Sequence, residues 1–439
     1  MTDENNNPTE NPKSQDDSTL PDFIDSLTGR TISTRGLVEH IIDQFHLEHG
    51  EGDSDAVQNA KTDVERRTLV RDVVQYVIGV ESAQLSAKQQ ARLIATAYRE
   101  IFGYGPLDTL FANPDVTTIT LEGSQKISVR YAPGGNLQQL EPIFDDTHHV
   151  RRTVDRLLRD ANAELHADVP IIETGLTINE RRVSLSVTGP PFSPEISVDI
   201  RVHPADQPTL ADLVASEFMP DEARTLLEAI IQSEHGIIIV GDTESGKTIL
   251  LSALLRHLPD VDGLMTVERA GEIELPTGAD QLMPQWSVGD KKGISFGEKI
   301  NIALAFDPKT LVLDEIRADE PHSIADLLRK DDVPRQIWSF RGASEAKRIS
   351  SSLSMLARMA DRSQAEAMVL NLYRRLPFVI IVKRRKGYLQ LREIGEWQFT
   401  DDSEYANYVP LMERGWETCE RTGKRPQHDL DIPASFWEK

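Results

Sequence analysis

Residues Gly236 to Thr248 read Gly-Ile-Ile-Ile-Val-Gly-Asp-Thr-Glu-Ser-Gly-Lys-Thr. An apolar, β-prone run ends in a G-x-x-x-x-G-K-[ST] loop, and an apolar helical pattern follows it. That order is what a phosphate-binding P-loop needs. A buried strand fixes the loop, and Gly241 and Gly246 relax the backbone so that successive N–H groups turn toward phosphate oxygens. The helix from about Thr248 to His257 aims its positive end at the same anion. Gly241, Asp242, Thr243, Glu244, Ser245, Gly246, Lys247 and Thr248 are therefore the candidate nucleotide-binding residues. Lys247 is placed to reach the β- and γ-phosphates, and Thr248 to hold Mg²⁺. Glu244 is an unusual member, because an acid there faces a polyanion.

Composition narrows the setting. A chain of 439 residues usually makes two or three domains, and its 39% hydrophobic content is enough for cores of that size. The 71 acidic and 48 basic residues leave a net charge of -23, which disfavours general binding of nucleic acid or anionic lipid. The basic turn Lys383-Arg384-Arg385-Lys386 is too short to reverse that expectation. The single cysteine, Cys419, excludes a disulfide framework and a Cys-rich zinc site, and it fits a reducing cytoplasm. No apolar run approaches the length of a transmembrane helix, so no transmembrane segment is expected.

Five parts are expected along the chain. Residues 1–33 are polar, acidic and poor in apolar side chains, and read as a disordered tail. Residues 34–102 carry helical stripes such as Leu37, Ile41, Ile42 and Phe45, and read as a small helical bundle. Residues 103–208 alternate short β-runs with a helix at about 147–161, an α+β domain. Residues 209–400 alternate strands and helices in the manner of a parallel sheet. Their candidate strands are Gly236–Val240, Leu264–Glu268, Thr310–Leu313, Arg335–Phe340 and Phe378–Val382, with Tyr388–Ile394 returning as a hairpin. The tail, 401–439, reads as a helix plus extended chain.

Leu311-Val312-Leu313-Asp314-Glu315 is the expected complement of the loop. A buried strand that ends in two acids delivers Asp314 to a metal, and Glu315 to a metal or a water. Glu268 ends the strand Leu264–Val267, which is expected beside the P-loop strand. Strand ends in such sheets face the ligand crevice, so Glu268 is a candidate base for the attacking water.

From Gly103 to Ile394 the chain resembles the type II/IV secretion ATPases, especially the conjugation-type traffic ATPases and the CpaF/TadA pilus ATPases. Gly103-Tyr104-Gly105-Pro106-Leu107 with Asn113-Pro114-Asp115-Val116 resembles the family's opening. Val267-Glu268-Arg269-Ala270-Gly271-Glu272-Ile273 resembles its acidic box, with Arg269 at the second acid. Leu313-Asp314-Glu315-Ile316-Arg317 resembles its Walker B segment, and Pro190-Pro191 with Ile200-Arg201 the end of its N-terminal domain.

The resemblance implies an α/β fold, with a RecA-like P-loop domain preceded by an α+β domain and a helical bundle. It implies ATP and Mg²⁺, and a homo-hexamer or a mixed ring with a paralogue. Such a ring would be cytoplasmic and held at the inner membrane by a platform protein, serving secretion, pilus assembly or conjugation. It makes Glu268 the water-activating residue and Glu315 the acid near Mg²⁺, and it brings Arg201 and Arg182 to the nucleotide from the N-terminal domain. The family's T-G-H-x-G-S and T-x-H-A-N stretches have no counterpart in Arg329–Ser344, where Phe340 or Arg341 takes the histidine's place. Arg341 would then supply permanent charge. The competing expectation is a nucleotide-binding subunit with little hydrolysis, beside an active paralogue.

Overall fold

The computed structural model describes residues 20–50, 54–132, 135–317, 320–342, 345–385, 387–399, 406–415 and 418–438. The chain divides into two compact units, one ending at Leu110 and the other starting at Phe111.

The first unit opens with a small hairpin, β1 (Phe23–Asp25) and β2 (Thr31–Ser33), followed by α1 (Thr34–His49), α2 (Asp55–Asn59), α3 (Asp63–Glu81) and α4 (Ala87–Phe102). The short α5 (Leu107–Phe111) runs across the boundary. Capping boxes start two helices, Thr62 with Glu65 for α3 and Ser86 with Gln89 for α4, each satisfying two backbone donors that the helix leaves unpaired. The stripes read from sequence face inward. Leu37, Ile41, Ile42 and Phe45 pack on Val70, Val73, Val74 and Val77 and on Leu93, Ala97 and Ile101. Strands β1 and β2 lie within the segment expected to be disordered, which corrects that expectation for 20–33; Ile24 anchors them in the core at 1% exposure. Residues 1–19 of that expected tail lie outside the described residues.

In the second unit a six-stranded antiparallel sheet comes first. Its strands are β3 (Val116–Glu122), β4 (Lys126–Tyr131), β5 (Leu137–Leu140), β6 (Ile171–Ile178), β7 (Arg181–Thr188) and β8 (Ser197–Val202), in the order β5-β4-β3-β8-β7-β6 among the described residues. Helix α6 (Thr147–Asp160) is capped by Asp146 and buries Val150, Val154, Leu157 and Leu158. Arg181 ties the sheet to the preceding loop, donating to the carbonyls of Val116 (2.7 Å), Asn113 (3.0 Å) and His203 (3.0 Å).

The larger sheet has the order β11-β10-β12-β13-β9-β14-β15-β16-β17 among the described residues. After α7 (Leu210–Ala215) and α8 (Asp221–Gln232) come β9 (Ile237–Gly241), α9 (Lys247–Leu255), β10 (Leu264–Glu268), β11 (Asp280–Leu282), α10 (Phe296–Ala305), β12 (Thr310–Arg317), α11 (Ala325–Arg329), β13 (Arg335–Arg341), α12 (Ala346–Ala360) and α13 (Ala365–Arg375). The chain closes with β14 (Phe378–Arg385), β15 (Tyr388–Phe399), β16 (Ala406–Arg414) and β17 (Cys419–Arg421). Strands β10 to β14 around β9 run parallel, and β15 to β17 extend the sheet antiparallel.

Both faces are covered, so the central strands are apolar on both sides. Ile237 and Ile239 pack with α8 and α9 on one face, while Ile238 and Val240 pack with α12 and α13 on the other. Each of these four side chains is 0% exposed, and each contributes about 1.5–3 kcal/mol of burial. The P-loop strand is thereby held at the middle of the sheet, with one strand between it and the Walker B strand.

Two sequence expectations are corrected here. The strand Leu264–Glu268 is not beside the P-loop strand; β12 and β13 intervene. In the tail, Ala406–Arg414 and Cys419–Arg421 form β16 and β17, and among the described residues the helical part is only a short 3-10 turn at Ala434–Trp437; Leu411 and Met412 are 0% exposed in the core.

Candidate functional site: a phosphate loop under an arginine-rich sheet

The loop after β9 has the geometry that its glycines predict, by two different routes. Gly246 sits at φ +94°, a left-handed conformation, and starts α9. Gly241 is needed for space instead. A Cβ there would lie 2.3 Å from Ser245 Oγ and 2.7 Å from the carbonyl of Val382. The second positive φ in the loop, +56°, belongs to Glu244.

Thr243, Glu244, Ser245, Gly246, Lys247 and Thr248 line a cavity of about 390 Å³. Asp314, Glu315, Arg201 and Arg341 line it too, so four distant candidates meet the loop. Lys247 is 4% exposed. Its Nζ donates to the Asp242 carbonyl at 2.9 Å and lies 3.2 Å from Glu315 Oε2. Pairing between β12 and β13 is interrupted from Leu313 to Ile316, and both acids fall in the interruption. A break of this kind re-aims side chains at the end of a strand. At the end of β13, Arg341 pairs in register with Gly241, while its neighbour Phe340 is 0% exposed in the core. Of the two residues offered for the missing histidine, only Arg341 reaches the cavity.

The remaining candidates are placed otherwise. Glu268 is 0% exposed and does not line the cavity. Its Oε2 accepts the Ile273 N–H at 3.0 Å, and its Oε1 accepts from the Gln281 amide. One oxygen is held by the loop after β10 and the other by β11, so in this arrangement Glu268 does not face the cavity where the sequence reading placed it. Arg182 is also outside the cavity lining; its charge acts on Glu268. Gly241 and Asp242 shape the loop from behind.

The acid that turns into the cavity from this segment is Glu272. Its Oε1 lies 3.7 Å from His203 Nε2. Burial opposes its ionisation, but His203 and Arg201 outweigh burial and hold it at about 2. Glu315 is likewise held below the usual carboxylate range, since Lys247 and Arg317 outweigh the effect of burial. Asp314 is pushed up to about 7 by burial and by the Glu272 charge. Among the described residues no three acids or histidines are grouped so as to hold a metal ion by themselves, so a divalent cation at Asp314 and Glu315 would take its remaining ligands from phosphate and water. Thr243 Oγ1 and Ser245 Oγ are buried without hydrogen-bond partners, and a bound phosphate would satisfy such groups. The residues present therefore fit a nucleotide phosphate with Mg²⁺.

Four arginines that line the cavity, Arg130, Arg269, Arg317 and Arg384, were not among the sequence candidates. Arg130 on β4 and Arg384 on β14 both contact Glu244. Arg317 pairs with Glu173 (2.8 Å), Glu315 (3.3 Å) and Glu320 (3.5 Å). Arg384 belongs to the basic turn noticed in the sequence, and Arg317 follows the Walker B acids; Arg130 carried no signal. Arg269 donates to the Glu315 carbonyl at 3.1 Å and pairs with Glu320. The basic residue in the acidic box thus braces the end of β12.

Burial raises Glu268 to about 7, and this has a consequence for stability. Between about pH 4.5 and 7 the folded chain holds a proton that the unfolded chain releases, so this group's contribution falls as pH rises. Glu268→Gln removes the cost of burying the charge, while Gln281 can turn its amide to meet the new donor. The variant is expected to be stabilised by about 2 kcal/mol at alkaline pH, with the gain vanishing near pH 4.5. Urea unfolding at several pH values checks this; a loss of stability at alkaline pH would refute it.

A family model described as type II/IV secretion system protein matches residues 110–326. A Mycobacterium tuberculosis protein that carries a conjugal-transfer name is 26% identical over 236 residues, 52% of this chain and 65% of that protein. The type IV secretion system protein VirB11 of Brucella suis is 27% identical over 123 residues, 27% of this chain and 33% of VirB11. The chain thus spans less than two thirds of the length of these relatives. Among solved structures, the Legionella pneumophila ATPase DotB superposes with a TM-score of 0.47 at 15% identity, covering 67% of this chain and 80% of DotB. With the P-loop and the Walker B acids in place, residues 110–326 match the type II/IV secretion system protein family.

Proposed function

We propose that this chain is a Mg²⁺-dependent ATPase motor of a secretion, pilus or conjugation system. The observation that carries the reading is convergence. One cavity gathers the P-loop, the acids of β12 and arginines from the neighbouring six-stranded sheet. Thr243–Thr248 hold the phosphates. Thr248, Asp314 and Glu315 would hold Mg²⁺, which would supply neutralisation of phosphate charge. Lys247 exchanges Glu315 and the Asp242 carbonyl for a phosphate oxygen. Glu315, released from Lys247 and still paired with Arg317 at 3.3 Å, then orients water and accepts its proton. Glu268 acts through the loop it holds, as a positioning residue for Glu272.

Arg201 and Arg130 belong to the six-stranded sheet, whereas Arg341 ends β13 of the larger one and Lys247 starts the helix α9 that packs on it. Nucleotide binding therefore redistributes ion pairs between the two sheets, and this redistribution drives their relative motion. In this reading the motor is a ring, a homo-hexamer or a mixed ring with a paralogue. It works at the cytoplasmic face of the inner membrane on a platform protein, without binding nucleic acid directly. No helix among the described residues is long and apolar enough to cross a membrane, so membrane attachment is through partners. The names of the Mycobacterium and Brucella relatives support this output.

A second reading, a nucleotide-holding subunit with little turnover beside an active paralogue, is favoured by one observation. The P-loop itself carries an acid that pairs with two cavity arginines. Steady-state ATP hydrolysis by the full chain separates the two. Turnover that needs Mg²⁺ is expected. Nucleotide binding without turnover would favour the second reading, and neither binding nor turnover would overturn both.

A further inference from the structure

Glu244 occupies a position in the phosphate loop where its φ of +56° suits glycine. A non-glycine residue in this conformation is uncommon, and such strain persists where the surroundings enforce it. Both carboxylate oxygens are engaged. Arg130 Nη1 lies 2.7 Å from Oε1, and Arg384 Nη1 lies 2.7 Å from Oε2. Arg130 also donates to Thr118 Oγ1 at 3.2 Å, and Arg384 donates to the Gly135 carbonyl at 3.4 Å. One acid thus ties strand β4 of the smaller sheet to strand β14 of the larger one, across the loop that would hold phosphate. All three residues line the same cavity and are mostly buried, with side-chain exposures of 13%, 26% and 22% for Arg130, Glu244 and Arg384.

We propose that Glu244 is a positioning residue that stands in for phosphate, holding Arg130 and Arg384 together over the loop until a nucleotide polyphosphate displaces it. Arginine's planar fork binds carboxylate and phosphate by the same geometry. The two anions therefore compete for the same cations, and binding opens the Glu244 bridge between the sheets. The loop acid weakens nucleotide binding in exchange for keeping the arginines oriented beforehand. The inference rests on reading the cavity as a nucleotide site.

The test is calorimetric binding of the non-hydrolysable ATP analogue AMP-PNP with Mg²⁺ to the full chain. Glu244→Gln is expected to tighten binding about tenfold, because the arginines no longer have a competing anion. Glu244→Gly, which also relieves the backbone, should do the same and guards against a misfolded glutamine variant. The deciding measurement is the same pair of substitutions in an Arg130→Gln, Arg384→Gln background, where the gain should vanish. An equal gain in that background would mean simple repulsion between an acid and an anion, and would overturn the bridge. Affinity unchanged or weakened in both Glu244 variants, with wild-type binding that still depends on Lys247, overturns the bridge and leaves the nucleotide site standing. Absence of binding in the wild type and in both Glu244 variants overturns the bridge and the nucleotide site together.

Discussion

Lys247→Ala is expected to weaken AMP-PNP binding by at least about 100-fold, roughly 3 kcal/mol, while leaving the chain folded. Lys247 is the cation set deepest in the loop, at 4% exposure. Its ammonium already lies within 3.2 Å of a carboxylate and 2.9 Å of a carbonyl. A phosphate oxygen entering the loop replaces both contacts with one stronger partner. Without the amine, the loop would face a polyanion while Glu244, Glu272, Asp314 and Glu315 all line the same cavity. Folding is affected far less, because Glu315 keeps Arg317 at 3.3 Å. A stability loss of about 1 kcal/mol is expected, measured by urea unfolding beside the calorimetry. A variant that stays folded and binds within about tenfold of wild type would show that the loop is not the phosphate site.

What the sequence revealed, and what it hid, follows the range of the interactions. The P-loop was legible because its chemistry is local. The glycines, Lys247 and Thr248 are neighbours in sequence, and the strand and helix that position them flank them directly. Asp314 and Glu315 were legible because an apolar strand ending in acids is also a local pattern. Glu268 has the same local pattern, yet it ends up buried. Its strand is separated from β9 by β12 and β13, and strand order is decided by pairing between distant segments. The side chain that does reach the cavity, Glu272, lies on the loop beyond the strand, where periodicity says nothing. Arg130 and Arg384 were hidden more completely. They meet Glu244 across 114 and 140 residues of chain, and no window of sequence contains both partners. The tail was misread because β16 is an edge-side strand with few buried residues. Leu411 and Met412 are its fully buried residues, too few to make a visible alternation.

Glu315→Gln is expected to lower the turnover number of ATP hydrolysis by about 10²–10³-fold, with affinity for AMP-PNP measured without Mg²⁺ kept or improved. Glutamine fills the same space but accepts no proton, so the loss falls on the chemical step. It also frees Lys247 from an ion pair that competes with phosphate, so binding does not suffer. That split between turnover and affinity is not what a merely structural residue would produce. Glu268→Gln is the informative comparison. Its carboxylate is 0% exposed, and the Ile273 N–H and the Gln281 amide occupy it. Its substitution should cost less than about tenfold in turnover, through small shifts of the loop that carries Glu272. The pH dependence separates the two acids as well. Glu315 is held below the usual carboxylate range, so it stays ionised at neutral pH, and the wild-type rate should fall only as pH drops into the acid range. A base raised to about 7, as Glu268 is, would lose half its activity already near neutrality. Should Glu268→Gln abolish turnover while Glu315→Gln retains it, with a rate that rises through pH 7, the base would be Glu268, and the loop after β10 would have to open during the catalytic cycle.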